Sequence, residues 1–463
     1  MAPSQSTSRE HAMKPTIPFV ILIVLLFHGC ATVNVEQDHA HMQEESLRRT
    51  GHPIVWQQTP EDTAQTNQMV AELLRDGITR DEAIRISLLN SPHLQASFQS
   101  LGIARADVVQ AGLYTNPSLG TLFRFPTNGG SGTGVELDLL FRISDLWNVP
   151  LRRNLAEVDV LRITQLVIQE VLRTAAAARD TFDELLLQQA MYQFMTGNVA
   201  LFHTTVEELQ VRFHAGLVND LDIYLGKNVL FEGQVDLARI QSSLITARTK
   251  LVETLGLDPN ELSIIDIVGD LEDMPLRALS PEQGWEFAAH HRIDLQLRRL
   301  QISQTRRLLD WQKARIFGDV ELGGHYTREL DKMHSAGPLL VLQIPLFNQN
   351  QGGIARAEYQ VGQAQQRLKA TELAAKQEIQ SLLAELTFHK THAQLFRDKM
   401  LVAQQKALSY VERFYSTMQL NSIFLIEARH RILSTQRGYF QALRAYRRTE
   451  SMLQVALGGQ FSQ

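Results

Sequence analysis

The sequence predicts a mainly α-helical protein with a small β part, a duplicated unit in which long coiled-coil helices alternate with β-hairpins. Three observations carry that expectation. Residues recur at a spacing of some 200 along the chain, long proline-free stretches keep an apolar stripe at three- and four-residue steps, and short segments in each half alternate apolar and charged side chains at every second place.

The duplication rests on anchors in register. Gly134-Val135-Glu136-Leu137-Asp138-Leu139 is matched by Gly337-Pro338-Leu339-Leu340-Val341-Leu342, Arg153 by Arg356, Arg212-Phe213 by Arg413-Phe414, and Leu255-Gly256 by Leu457-Gly458. Each unit reads helix, strand, turn, strand, long helix, tip, helix. In the first unit Asp81 to Val109 reads as one helix with Thr79 or Asp81 as its cap, stopped by Asn116-Pro117.

Strands follow from Leu119 to Phe125 and from Val135 to Phe141, joined by Thr127-Asn128-Gly129-Gly130-Ser131-Gly132. Val135, Leu137, Leu139 and Phe141 point one way while Glu136, Asp138 and Arg142 point the other. The second unit sets Val320, Leu322 and Tyr326 against Asp319, Glu321 and His325, followed by Leu340, Leu342, Ile344 and Leu346. A lone hairpin of this kind reads as a half-buried sheet packed on helices.

The helices count against that reading. No proline falls between Leu151 and Asp258, or after Pro345. In the second unit a stripe runs through Val361, Ala364, Leu368, Ala375, Ile379, Leu382, Leu386, Ala393, Phe396, Met400, Ala403, Ala407, Val411 and Phe414, which about 60 residues at ~1.5 Å rise turn into a rod of roughly 90 Å. Helices alone would suit a scaffold. A sheet that faces lipid, however, must close, and closed barrels need about eight strands or more. One chain offers four, so closure would take several chains, each with long helices below the bilayer.

Composition is compatible with this. Of 463 residues 44% are hydrophobic and 21% charged, and the net charge of −5 is spread along the chain, so no nucleic-acid partner is expected. The apolar run Ile17 to Phe27 follows Arg9, His11 and Lys14 and is too short to span a bilayer, the layout of a signal peptide. Cys30, the sole cysteine, excludes disulfides within one chain. Leu26-Phe27-His28-Gly29-Cys30 resembles a bacterial lipobox, which would make Cys30 an acylated first residue held by roughly 0.8 kcal/mol per buried methylene. An ordinary secretion signal with an incidental cysteine is the alternative.

Asn90-Ser91-Pro92-His93-Leu94, Asn116-Pro117, Arg212-Phe213-His214-Ala215-Gly216-Leu217, and Ile344-Pro345-Leu346-Phe347 with Gly352-Gly353 occur in an order that resembles the TolC family of outer-membrane efflux proteins, over about Leu73 to Gly458. The chain looks like the cation-efflux and multidrug branches that work with resistance-nodulation-division pumps. The resemblance implies a homotrimer with a shared twelve-stranded transmembrane β-barrel over a periplasmic α-barrel, lipid-anchored in the outer membrane. It implies a passive conduit fed by an inner-membrane pump through a periplasmic adaptor, with no cofactor and no catalysis. The expected organisation is a signal peptide (1–29), an acylated extended segment (30–72), a first repeat (73–265, hairpin about 118–143), a linker (266–290), a second repeat (291–458, hairpin about 318–346) and a tail (459–463). A periplasmic coiled-coil adaptor or scaffold lipoprotein without a barrel is the competing reading.

No catalytic arrangement emerges. Gly129 to Gly134 joins two strands, so a hairpin explains it better than a phosphate loop. His290-His291 with Asp294 reads as a solvated helix start rather than metal ligands, and His39, His41 and Met42 as a polar tail, the alternative being contact with a soft or borderline cation. Asp220 and Asp222, just past Gly216, are candidates for a ring of acids at a periplasmic aperture, or simply capping acids. Glu136, Asp138, Asp319 and Glu321 are the candidate barrel-lumen residues.

Overall fold

Each half of the chain makes the same excursion: two helices joined at a break, a β-hairpin, a long helix, a reversal and a returning helix. The computed structural model describes residues 32–129, 132–260, 266–271 and 279–459; the expected signal segment, Cys30 and residues 460–463 lie outside them. After α1 (Glu36–Thr50) and α2 (Pro60–Leu73), the first half contains α3 (Arg80–Asn90), α4 (Pro92–Gly112), β1 (Ser118–Arg124), β2 (Gly134–Arg142), α5 (Asp145–His214) and α6 (Asp220–Leu255). The second contains α7 (Pro281–His291), α8 (Ile293–Ala314), β3 (Val320–Arg328), β4 (His334–Leu342), α9 (Gln351–Leu395), a π turn (Phe396–Met400), α10 (Leu401–Ser416) and α11 (Ser422–Leu457).

The helix expected over Asp81 to Val109 is two helices. Pro92 has no N–H to continue α3, and its ring disfavours a helical residue before it. Ser91 is accordingly extended (φ −65°, ψ 117°) and its hydroxyl accepts from the Leu94 amide. In the second half the break falls at Arg292 (φ −69°, ψ 120°) without any proline. Thr79, not Asp81, caps α3, in a reciprocal box with Glu82. Asp81 instead meets His52 at 3.0 Å.

The matched Leu-Gly pairs lock these breaks. Gly256 (φ 70°) and Gly458 (φ 88°) end α6 and α11 in the left-handed conformation that glycine adopts freely. A Cβ on Gly256 would lie 2.5 Å from the Asn90 carbonyl oxygen, and one on Gly458 would collide with the His291 carbonyl. Asn90 Nδ2 donates to the carbonyls of Leu255 (3.2 Å) and Gly256 (2.8 Å), and Arg292 Nη1 to that of Ala456 (3.1 Å). Arg49 of α1 donates to His291 O (2.6 Å) and Gly458 O (2.7 Å), which ties the N-terminal segment into the second lock. That segment also buries Met42, Ile54 and Trp56 against Phe98 and α5.

α5 has 70 residues, so it extends about 105 Å. It starts before Pro150, earlier than the proline-free stretch suggested. α6 returns along it with Ile223, Gly226, Leu230, Gly233 and Ile240 facing inward at steps of three, four and seven residues. At Gly226 a Cβ would sit 2.8 Å from Leu209, so glycine sets the closeness of the pair.

In the second half the apolar stripe changes phase. α9 buries Ala375, Ile379, Leu382, Leu386 and Ala393. Continued without interruption, that face would carry Met400, Ala403, Ala407, Val411 and Phe414 inward, as the sequence leads one to expect. The π turn adds a residue to one turn. Below it the inward face becomes Leu401, Gln404, Leu408, Val411 and Tyr415; of the expected residues Val411 stays half-buried, while Met400, Ala403, Ala407 and Phe414 are exposed. Phe396 of this turn lies against Gly438, where a Cβ would be 2.6 Å from its ring.

A buried ion group fastens the connection between the halves. Arg80 pairs with Asp183 (2.8 Å) and Glu450 (3.4 Å), and Arg447 with Glu450 (3.4 Å) while donating to the carbonyls of Asp270 (3.2 Å) and Leu271 (3.4 Å). Burial pushes the Asp183 carboxyl up, against the pull of Arg80 and Arg447.

Replacing Gly256 or Gly458 by alanine is expected to destabilise the protein by at least about 1–2 kcal/mol, from backbone strain and collision with the facing carbonyl. Gly197 lies inside α5 with nothing within 4 Å of its would-be Cβ. Gly197→Ala is expected to be neutral or stabilising by up to ~1 kcal/mol. Thermal unfolding followed by circular dichroism compares them, and equal midpoints would remove the locks from the account.

Candidate functional site: the sheet faces and the helix tips

The four strands form one antiparallel sheet in the order β1-β2-β3-β4, so the two hairpins join through β2 and β3. The register pairs Leu137 with Tyr326 and Asp138 with His325. Gly323 permits the close approach of β2 and β3, since a Cβ there would collide with the Leu139 carbonyl. Among the described residues no further strand pairs with the outer edge of β1 or of β4.

One face is apolar and uncovered. Leu119, Phe123, Leu137, Leu139, Phe141, Leu322, Leu340 and Leu342 lie on it, and Leu119 is 69% exposed. A half-buried sheet packed on helices is therefore not what forms. The opposite face brings together the candidate lumen carboxylates with partners. Arg124 reaches Glu136 at 2.7 Å, and Arg142 lies 3.6 Å from Asp319 and 3.9 Å from Glu321. Asp319 stands just before β3, not on it.

His325 links the middle of that face. Its Nδ1 is 2.6 Å from Asp138, its Nε2 is 2.7 Å from the Thr327 hydroxyl, and Glu136 lies 3.8 Å away. With the proton on Nδ1 the ring donates to Asp138 and accepts from Thr327. Leu122, Leu140, Leu339 and Val341 share this face by register, so its charge is concentrated on β2 and β3.

At the far ends of the helices the two reversals have one geometry. Leu217 N donates to Arg212 O and Gly216 N to Phe213 O, each at 2.9 Å; Gln419 N donates to Phe414 O (2.9 Å) and Met418 N to Tyr415 O (3.1 Å). The left-handed residue is Gly216 (φ 70°) in the first and Met418 (φ 60°) in the second. The structure separates the two tip acids. Asp222 forms a capping box with Asn219, each side chain accepting from the other's amide at 3.1 Å, and also accepts from the Ser422 hydroxyl of the second tip. Asp220 is exposed in the first turn of α6.

Behind the tips stands a residue that the sequence reading missed. Arg429, 9% exposed, donates to the Thr205 hydroxyl and pairs with Glu412 at 3.2 Å. Beside it the Arg212 guanidinium lies 4.0 Å above the Tyr415 ring. The available signal was an arginine interrupting the apolar stripe Leu425, Ile426, Leu433.

The other singled-out residues disperse. Helix α1 puts Met42 in the core and His39 against Trp56 and Phe98, where burial lowers the imidazole pKa, while His41 faces out. His290 and His291 close α7 and do not start a helix. His291 stacks on Phe287 at 4.0 Å, and Asp294 pairs with Arg292 at 2.8 Å. Among the described residues no group of three or more His, Cys, Asp or Glu is placed to hold a metal ion, and no helix is long and apolar enough to cross a membrane.

No protein-family model matches the chain. A relative in sequence is the cobalt-zinc-cadmium resistance protein CzcC of Cupriavidus metallidurans, 17% identical over 367 residues that cover 79% of this chain and 86% of the relative. Among solved structures, CusC superposes with a TM-score of 0.69 at 16% identity, covering 82% of this chain and 92% of that one. The outer membrane protein VceC of Vibrio cholerae superposes with a TM-score of 0.66 at 17% identity, covering 88% and 98%. At these TM-scores and coverages the chain shares its fold with CusC and with the outer membrane protein VceC.

Proposed function

We propose that the chain is the outer-membrane subunit of a tripartite efflux system, a passive conduit that takes its cargo from an inner-membrane pump of the resistance-nodulation-division type and a periplasmic adaptor and releases it outside. The uncovered apolar face of the sheet carries this reading. An adaptor or scaffold without a barrel would leave that face, and the open edges of β1 and β4, in water. Three copies would pool twelve strands into a closed barrel with the apolar residues outward and Glu136, Asp138, Asp319 and Glu321 toward the lumen. The helices would then extend about 105 Å into the periplasm. Cys30, at the end of the apolar leader, is proposed as the acylated anchor. The cobalt, zinc and cadmium named for the relative make tolerance to those cations the first phenotype to assay.

The purified assembly in planar bilayers should show discrete conductance steps. A chain that conducts nothing and leaves the membrane fraction once its leader is replaced by a cleavable signal would overturn the reading.

Charge on the outward face should block assembly. Leu137→Lys or Leu322→Lys is expected to cost about 2–4 kcal/mol if the site lies near mid-bilayer, and to remove the detergent-stable trimer from native gels. Glu136→Gln and Glu321→Gln should retain it.

Copies of Asp220 brought together by rotational symmetry are proposed to make the aperture negative. Asp220→Asn should shift the reversal potential under a salt gradient toward lower cation preference. Asp222→Asn should instead weaken the tip by about 0.5–2 kcal/mol through its cap. Equal reversal potentials for native and Asp220→Asn forms would leave the acid a first-turn charge only. Mass spectrometry of the mature N-terminus should find acyl chains on Cys30, and an unmodified N-terminus elsewhere would contradict the anchor.

A further inference from the structure

The apolar face of the sheet carries charge at one level only. Read across the strands by register, its last row at the hairpin-turn end is Phe123, Val135, Arg328 and His334. The rows behind it, down to Val320 and Leu342, hold no ionisable group except the Tyr326 phenol. Arg328 is exposed, and its guanidinium has no hydrogen-bond or ion-pair partner among the described residues. The neighbouring acids are engaged elsewhere: Glu329 lies 4.0 Å from Arg124, and Asp331 accepts from the Met333 amide at 3.0 Å. Opposite Arg328 on β4, His334 Nδ1 is 2.7 Å from the Tyr326 hydroxyl. A neutral ring accepting from that hydroxyl and a charged ring donating to it both carry a proton on Nε2, and that N–H has no partner among the described residues either.

We propose that Arg328 and His334 bind the phosphate of a phosphorylated glycolipid in the external leaflet of the outer membrane. This rests on the channel reading above and adds a lipid ligand to it. The long helices α5 and α9 follow the ends of β2 and β4 farthest from the hairpin turns, so in that channel the turns point away from the periplasm. The rise from Val320 to Arg328 is about 26 Å along the strand, and roughly 20 Å along the axis of a barrel whose strands tilt by about 40°. An outward apolar band is about 25 Å tall, so the row of Arg328 and His334 stands at its external margin, level with headgroups.

The free donors select the ligand. A guanidinium presents a planar fork that matches two oxygens of one phosphate. Residues facing each other across antiparallel strands have Cβ atoms about 5 Å apart, so the His334 Nε2–H can reach the same phosphate group. An unpaired cation facing lipid is costly at mid-bilayer and tolerated at the interface, where basic side chains meet anionic headgroups. In the external leaflet of an outer membrane those anions are phosphates on a sugar. Phe125 and Met333, exposed just beyond the row, offer apolar surface beside them.

Trimers purified in mild detergent and freed of lipid by exchange are titrated with defined lipids, and the bound molecules counted by native mass spectrometry. Bisphosphorylated lipid A should bind at one copy per subunit, about tenfold more tightly than the same lipid with both phosphates removed. Arg328→Gln should lose about that factor, and His334→Gln a smaller one, with the trimer retained on native gels. Equal binding of the phosphate-free lipid to the native protein overturns the proposal and needs no variant to fold; so does undiminished binding by Arg328→Gln. Phosphatidylglycerol binding as well as lipid A would make the row a contact for any anionic lipid, and displacement of lipid A by millimolar inorganic phosphate would make it a free-phosphate site. Either result overturns the glycolipid assignment. A native protein that yields no trimer before lipid is added sinks the channel reading and this site with it, which separates that failure from failure of the site alone.

Discussion

A backbone N–H or C=O group cannot remain unpaired in hydrocarbon, and the channel proposed for this molecule depends on that constraint. The sheet has a face of large apolar side chains and two edges, on β1 and β4, that no strand of the described chain covers. Four strands are too few to curl into a barrel on their own. In the channel proposed above, edge-to-edge association with further copies would satisfy the edge amides and seal the apolar face into the bilayer in one event. Since α5 and α9 follow closely on β2 and β4, the same association fixes where the long helices stand.

Duplication lets one design of backbone serve both sides of that association while the side chains diverge. The locks at Gly256 and Gly458 share their left-handed geometry and their abutting carbonyl, yet one break is enforced by Pro92 and the other is held by Arg292 and Arg49. The two reversals share their hydrogen bonds, yet Gly216 is matched by Met418, and the capped start at Asn219 by Asn421, whose side chain makes no cap. The halves are alike where the chain must turn. They differ where neighbours and solvent are met.

What could be read from the sequence is what local periodicity encodes. Alternation in Val135 to Phe141 depends only on the pleat, so the two faces of β2 were legible, and the lack of proline permitted α5 its length. The repeat anchors were legible because glycine at positive φ leaves little choice of residue. The ion group of Arg80, Asp183, Glu450 and Arg447 was not, because its members are brought together only by packing of segments hundreds of residues apart. The capping role of Asp222 was open to the sequence from its place at the helix start, but its second bond, from Ser422 on the other tip, was not. The break at Arg292 carries no proline to announce it, and the tertiary hydrogen bonds that hold it are invisible to propensity.

The π turn was illegible for a different reason, which bears on how the proposed tube would be built. A single stripe from Val361 to Phe414 suits an uninterrupted helix with one partner. In the tube proposed above a helix would need two, one on each side, and an uninterrupted stripe favours one side along its whole length. The extra residue at Phe396–Met400 rotates the apolar line relative to α11, so that below the turn α11 is met by Leu401, Leu408 and Tyr415 while Met400, Tyr410 and Phe414 become available on another side. α6 reaches the same end without a bulge, by carrying two stripes from the start, with Gly226 and Gly233 on the inner one drawing it close to α5. Two-sided helices are what a wall requires, and the two halves of this chain arrive at them by different local means.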